Sequence, residues 1–141
     1  TPIYLDYATH AKKGSMYNTP PCYPIYIAGE VFKYLLKNGG VKATHERDVE
    51  KANLLYGYLD KSEMFKPSVA KEDRSLMNIT FVTGDPELDK KFIAGAKEKG
   101  MINLAGYRTV GGMRASTYNA MPLEGVEALV AYMEKFENEN K

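Results

Sequence analysis

The chain has 141 residues, enough for one ordinary domain or one domain with an appended element, and its formal net charge of +1 argues against a general nucleic-acid or membrane surface. Apolar residues make up 44% and charged residues 26%, the balance of a soluble globular protein, with no apolar run of membrane-spanning length and no signal-peptide pattern. The single cysteine, Cys22, excludes an internal disulfide and fits a reducing cytoplasm, and the two histidines, His10 and His45, offer no metal-ligand spacing.

In chain order, Ile3 to Tyr7 reads as the end of a strand. A polar stretch from Thr9 to Ser15 leads into Tyr17-Asn18-Thr19-Pro20-Pro21, where an oxygen-bearing cap followed by proline signals a helix start. The helix that follows carries Ala28, Val31, Phe32, Leu35 and Leu36 at helical spacing and stops at Asn38-Gly39-Gly40. A second helix runs from about Val41 to Leu59, with Val49, Ala52, Leu55, Tyr56 and Leu59 inward and charges on its other faces.

After Lys61 the period changes from 3.6 to 2. A strand is expected from about Met77 to Thr83, with a short partner near Phe65 to Val69 limited by Pro67. Asp85-Pro86 opens a helix that turns Leu88, Phe92, Ile93 and Ala96 inward and closes at Gly100. Met101 to Ala105 reads as a short strand. Gly112 to Tyr118 reads as another, with Met113, Ala115 and Thr117 on one face and Arg114, Ser116 and Tyr118 on the other. The last helix begins near Pro122, packs Leu123, Val126, Leu129, Val130 and Met133, and dissolves into a polar tail from Glu137 to Lys141. The pattern predicts a small α/β two-layer sandwich, a short and mainly antiparallel sheet with helices packed on it, preceded by a lone helix.

Only four arginines occur, and two of them, Arg108 and Arg114, flank the glycine pair Gly111-Gly112. Arginine suits a site where a planar fork holds a carboxylate or phosphate through two hydrogen bonds. The spacing alone also fits two surface arginines beside a turn or bulge. Arg47 and Arg74 read as surface or loop residues.

Ser15-Met16-Tyr17-Asn18-Thr19-Pro20-Pro21 followed by Gly111-Gly112-Met113-Arg114-Ala115-Ser116-Thr117-Tyr118-Asn119-Ala120 resembles the phosphoserine aminotransferase family. Asn38-Gly39-Gly40-Val41, Glu72-Asp73-Arg74-Ser75-Leu76-Met77-Asn78 and Tyr118-Asn119-Ala120-Met121-Pro122 support it in the same order. The resemblance implies a homodimer that uses pyridoxal 5'-phosphate (PLP) to exchange an amino group between glutamate and 3-phosphohydroxypyruvate in serine biosynthesis. It also implies that these residues are the C-terminal part of such an enzyme. Residues 1–40 would end the large PLP domain, and residues 41–141 would form the C-terminal small domain. None of the fifteen lysines stands in the motif of the family's cofactor-binding lysine, so no catalytic residue is expected here and the chain alone should be inactive.

The resemblance further assigns Arg114 to the substrate α-carboxylate and Arg108 to the substrate's distal phosphate or carboxylate across the dimer. Asn18 and Thr19 would reach the PLP phosphate of the partner subunit. Tyr107 stands where the family usually has histidine; it can donate a hydrogen bond to phosphate but carries no positive charge near neutral pH. Two other readings stay open on the residues: a free-standing α/β module that binds an anionic ligand, and an aminotransferase of the same fold with another substrate.

Overall fold

A computed structural model describes residues 1–141, which separate into two compact units, Thr1–Gly40 and Val41–Lys141. In the first unit, the Asp6 carboxylate accepts hydrogen bonds from the Ala8 N–H at 3.0 Å and the Thr9 hydroxyl at 2.9 Å, and so caps α1 (Tyr7–Lys12). The strand end expected at Ile3–Tyr7 is therefore a 3-10 turn, Ile3–Leu5, and the polar stretch after it is mostly this helix. With no strand in this unit to pair with, a local side-chain bond outweighs β propensity.

The next helix, α2 (Cys22–Lys37), has Pro21 at its N-cap and no side-chain cap. Asn18 and Thr19 thus do not cap it, contrary to the helix-start reading. Each proline disfavours helical backbone in the residue before it, so Thr19 and Pro20 are kept out of the helix, too far from its first N–H groups. No residue of α2 is buried; Phe32 is 63% and Leu36 75% exposed. An apolar stripe of this size left open is a docking face or an association hazard. The 141-residue chain should self-associate through it in sedimentation experiments, and Phe32→Lys with Leu36→Glu should return it toward the monomer. A wild-type chain that stays monomeric at every concentration would contradict this.

The second unit contains α3 (Gly40–Leu59) from its second residue on, β1 (Lys66–Pro67), β2 (Asn78–Val82), α4 (Pro86–Glu98), β3 (Met113–Ser116) and α5 (Leu123–Glu139). Its three strands are antiparallel in the order β1-β2-β3, with Thr80 opposite Arg114 and Asn78 opposite Ser116. Period-two alternation turns Ile79, Phe81, Met113 and Ala115 into the core, where they meet Ala52, Leu55 and Leu59 of α3, Phe92 and Ala96 of α4, and Val126, Leu129, Met133 and Phe136 of α5. The expected α/β sandwich is the one observed. Phe92 is its hub: its ring centroid lies 5.0 Å from Phe65, 5.2 Å from Phe136 and 4.9 Å from Tyr132. Asp85 caps α4 by accepting from the Glu87 N–H at 2.8 Å, with Pro86 at the first helical position, as the sequence indicates.

Two readings of this unit need correction, and a third gains detail. Met101–Ala105 is not a strand but makes a single bridge, Ala105 to Met113, because Asn103 takes a left-handed φ of +62° that breaks the extended run. Arg74 lies in the loop after the 3-10 turn Lys71–Asp73, as expected of a surface or loop residue, but it is anchored there. Its guanidinium forms a two-pronged pair with the Asp60 carboxylate, which it holds below the usual carboxylate range, and lies 4.5 Å from the Tyr56 ring centroid. Finally, the polar tail begins later than expected: α5 continues to Glu139, and Glu137 is buried. The Glu137 carboxylate accepts from the Tyr58 hydroxyl at 2.6 Å, the Ser62 hydroxyl at 2.7 Å, and the N–H groups of Glu63 at 3.0 Å and Met64 at 3.3 Å. It stitches α5 to the end of α3 and to the turn between α3 and β1.

Candidate functional site

Because the helices cover one face of the sheet, the alternate residues Asn78, Thr80, Val82, Arg114 and Ser116 lie on the other face, none of them buried. Arg114 is the sole charged residue among them. Its backbone N–H donates to the Leu104 carbonyl at 2.8 Å, so the 101–105 segment fixes its place on the outer side of β3. Its side-chain Nε is buried and has no hydrogen-bond partner, and Arg114 takes part in none of the chain's ion pairs. A buried guanidinium N–H without an acceptor costs free energy unless something supplies one. Beside it, the Ser116 and Tyr118 hydroxyls turn toward Asn78 Oδ1 at 3.5 and 3.4 Å. The open sheet face thus offers a planar cation, an orphan donor and neutral polar neighbours, a set suited to an anion.

The loop before β3 carries the other two candidates from this unit. The Gly106 N–H donates to the Gly112 carbonyl at 2.8 Å and closes the loop, while the Tyr107 carbonyl accepts from both Val110 and Gly111 N–H. The turn projects Tyr107 and Arg108 into solvent, Tyr107 being 64% exposed. The glycines are required by space as well as by conformation. A Cβ on Gly106 would overlap the Gly111 carbonyl, and one on Gly112, whose φ is +65°, would sit 2.6 Å from Val82 Cγ1 and 2.9 Å from the Phe81 carbonyl oxygen. Gly106→Ala should therefore open the loop and displace Arg108 without unfolding the core. Amide-exchange rates should rise at positions 106 and 111, and protection at Phe92 should be unchanged. Unaltered exchange in the loop would show that it absorbs the methyl group.

Asn18 and Thr19 lie in the other unit, in the segment that leads into α2. The Tyr4 hydroxyl donates to Asn18 Oδ1 at 3.0 Å, and the Tyr4 ring packs edge-on against Tyr17 with 6.2 Å between centroids. That bond uses the carbonyl side of the Asn18 amide, and Asn18 itself is exposed. Thr19 is exposed, and the N-terminus of the sixteen-residue α2 has no side-chain cap. An amide NH2, a hydroxyl and an uncapped helix start form a donor set that fits a phosphate. Cys22 and His45 are exposed, while His10 Nε2 lies 3.0 Å from the Tyr4 carbonyl. No helix is long and apolar enough to cross a membrane.

Residues 1–129 match the family model for "Aminotransferase class-V". The chain belongs to the class-V aminotransferase family. Among curated relatives it is similar to the phosphoserine aminotransferase of Pseudoalteromonas translucida (strain TAC 125), 53% identical over 99% of this chain and 39% of that protein. It is likewise similar to that of Mannheimia succiniciproducens, 52% identical with the same coverage. A solved phosphoserine aminotransferase from Bacillus circulans subsp. alkalophilus superposes with a TM-score of 0.92 at 41% identity, over 100% of this chain and 39% of that one. A PLP-bound one from Trichomonas vaginalis gives 0.84 at 38% identity, over 95% and 39%. PLP is the cofactor of this aminotransferase family. The chain spans about two fifths of the length of these relatives, 39% in each case.

Proposed function

We propose that these residues are the C-terminal portion of a PLP-dependent phosphoserine aminotransferase, with Thr1–Gly40 ending its cofactor-binding domain and Val41–Lys141 forming its small domain. The observation that carries this reading is Arg114, a partly buried arginine on the open face of the sheet with an unpaired Nε–H. In the longer protein its fork holds the α-carboxylate of glutamate through two parallel bonds, which fixes the orientation of the substrate Cα–H. Arg108, on the glycine-closed loop, meets the distal phosphate or carboxylate of the substrate, and Tyr107 lends a hydroxyl beside it. Asn18 and Thr19 hold the phosphate of PLP bound by a second subunit of a homodimer. PLP, when bound, would supply an electron sink for the substrate Cα and a carbonyl that takes the amino group from glutamate and returns it to 3-phosphohydroxypyruvate. The exposed free thiol of Cys22 suits a reducing cytoplasm.

This chain supplies binding groups and no covalent anchor for the cofactor. On titration with PLP it should form no stoichiometric adduct that borohydride fixes to one lysine, and it should show no transaminase activity. Such an adduct at a single lysine would overturn the division of roles.

Tyr107 favours a graded version of the same reading, with phosphate recognition weaker than a histidine would give. In the longer protein, Tyr107→His should add affinity for 3-phosphohydroxypyruvate as pH falls through about 6.5, with little effect on glutamate kinetics. An unchanged pH profile would make Tyr107 a residue outside the phosphate site.

A further inference from the structure

Lys51 belongs to the helical stripe that should be apolar, since it lies beside Ala52 and one turn before Leu55, yet it is only 2% exposed. Its ammonium donates to three backbone carbonyls, those of Thr117 at 3.1 Å, Tyr118 at 2.9 Å and Met121 at 3.1 Å. An ammonium has three protons, so all are spent on carbonyls. Asp48, 3% exposed and one turn earlier, places Oδ1 3.0 Å from the same nitrogen as a charge partner, and that oxygen has no hydrogen bond of its own. The three carbonyls belong to the turn that leaves β3, in which the Met121 N–H donates to the Tyr118 carbonyl at 2.8 Å. Three converging carbonyl dipoles repel one another in a buried place, and the Lys51 charge offsets that repulsion.

We infer that Lys51 is the positioning residue of the anion site: by gathering the Thr117, Tyr118 and Met121 carbonyls it clamps the end of β3 and so fixes where Arg114, three residues upstream, presents its guanidinium. This rests on the reading of Arg114 given above for its function, but not for its geometry. β3 has only four residues, and Arg114 is its second. The strand is held at one end by the glycine loop and at the other by the Thr117 N–H, which donates to the Met77 carbonyl at 2.8 Å, together with the Lys51 clamp. A buried ion pair is weak support for stability, because desolvation of both ions offsets their attraction. Directional hold on one turn is what this pair adds.

The test is hydrogen exchange by NMR on the 141-residue chain, read at the Arg114 Nε–H and at the Thr117 and Met121 amides, with Phe92 as the core reference. A double variant, Asp48→Asn with Lys51→Met, removes both charges at nearly constant volume. It should leave Phe92 protected and speed exchange at the three reporters by at least about tenfold, the equivalent of one lost hydrogen bond to a charged group. Unchanged exchange at Arg114 overturns the inference. Should the double variant fail to fold, Lys51→Ala is measured with n-propylammonium, which refills the cavity and restores slow exchange where tetramethylammonium does not. Restoration by both cations, or by neither, overturns it as well. Glutarate titrated into the wild-type chain separates the two claims. An unmoved Arg114 Nε–H signal defeats the carboxylate reading, whereas the clamp is judged by the exchange data.

Discussion

Replacing Glu137 by leucine should lower the stability of the second unit by on the order of 4 kcal/mol, measured by urea denaturation. The loss has a specific origin. The carboxylate serves four donors, Tyr58 at the end of α3 and three from the turn that follows it, and an apolar residue leaves the Tyr58 and Ser62 hydroxyls and two backbone N–H groups unsatisfied around a buried position. Glu137→Gln keeps one acceptor and should lose about half as much. The pH dependence has a definite sign. Burial raises the Glu137 pKa, but the hydrogen bonds outweigh burial and bring it down to about 2. Since folding lowers this pKa, the contribution is complete above the ordinary carboxylate value of about 4.3 and is lost as pH falls toward 2. The wild-type chain should therefore lose stability across that window while Glu137→Gln does so much less. Parallel pH profiles would contradict the assignment.

The second large effect is expected at Arg114. In the longer protein, Arg114→Lys should reduce kcat/KM for glutamate by roughly 1.5–3 kcal/mol of transition-state stabilisation, about 10- to 150-fold, because a point charge cannot replace the two-pronged fork. KM for glutamate should rise and kcat should fall, while PLP stays bound. Kinetics unchanged for both substrates would remove Arg114 from the site.

Much of the second unit can be read from local signals, because each of its elements obeys one. Asp85-Pro86 marks a helix start that the Asp85 side chain performs, and the alternation through Asn78–Val82 places Ile79 and Phe81 in the core as its period demands. What escaped the sequence depends on partners distant along the chain. Glu137 resembles the start of a polar tail until a turn more than seventy residues away supplies its donors. Lys51 resembles one of many surface lysines until the β3–α5 turn brings three carbonyls to it, although its position beside Ala52 on the apolar stripe was a usable signal. Asp6 is hard to read for the opposite reason: its cap is wholly local, but aromatic and apolar residues around it imitate a strand. Of the site, the arginine pair and its glycine loop were visible as composition. The orphan Nε–H that makes Arg114 a candidate clamp becomes visible only in three dimensions.

The central claim, that Arg114 receives a substrate carboxylate while Asn18 and Thr19 receive a cofactor phosphate, is tested most directly by a crystal structure of the longer protein grown with PLP and L-glutamate. The account predicts the glutamate α-carboxylate held by two N–H groups of Arg114, and the PLP phosphate within hydrogen-bond distance of the Asn18 amide and the Thr19 hydroxyl of a second subunit. A carboxylate bound elsewhere, with the Arg114 guanidinium turned away from it, would contradict the account.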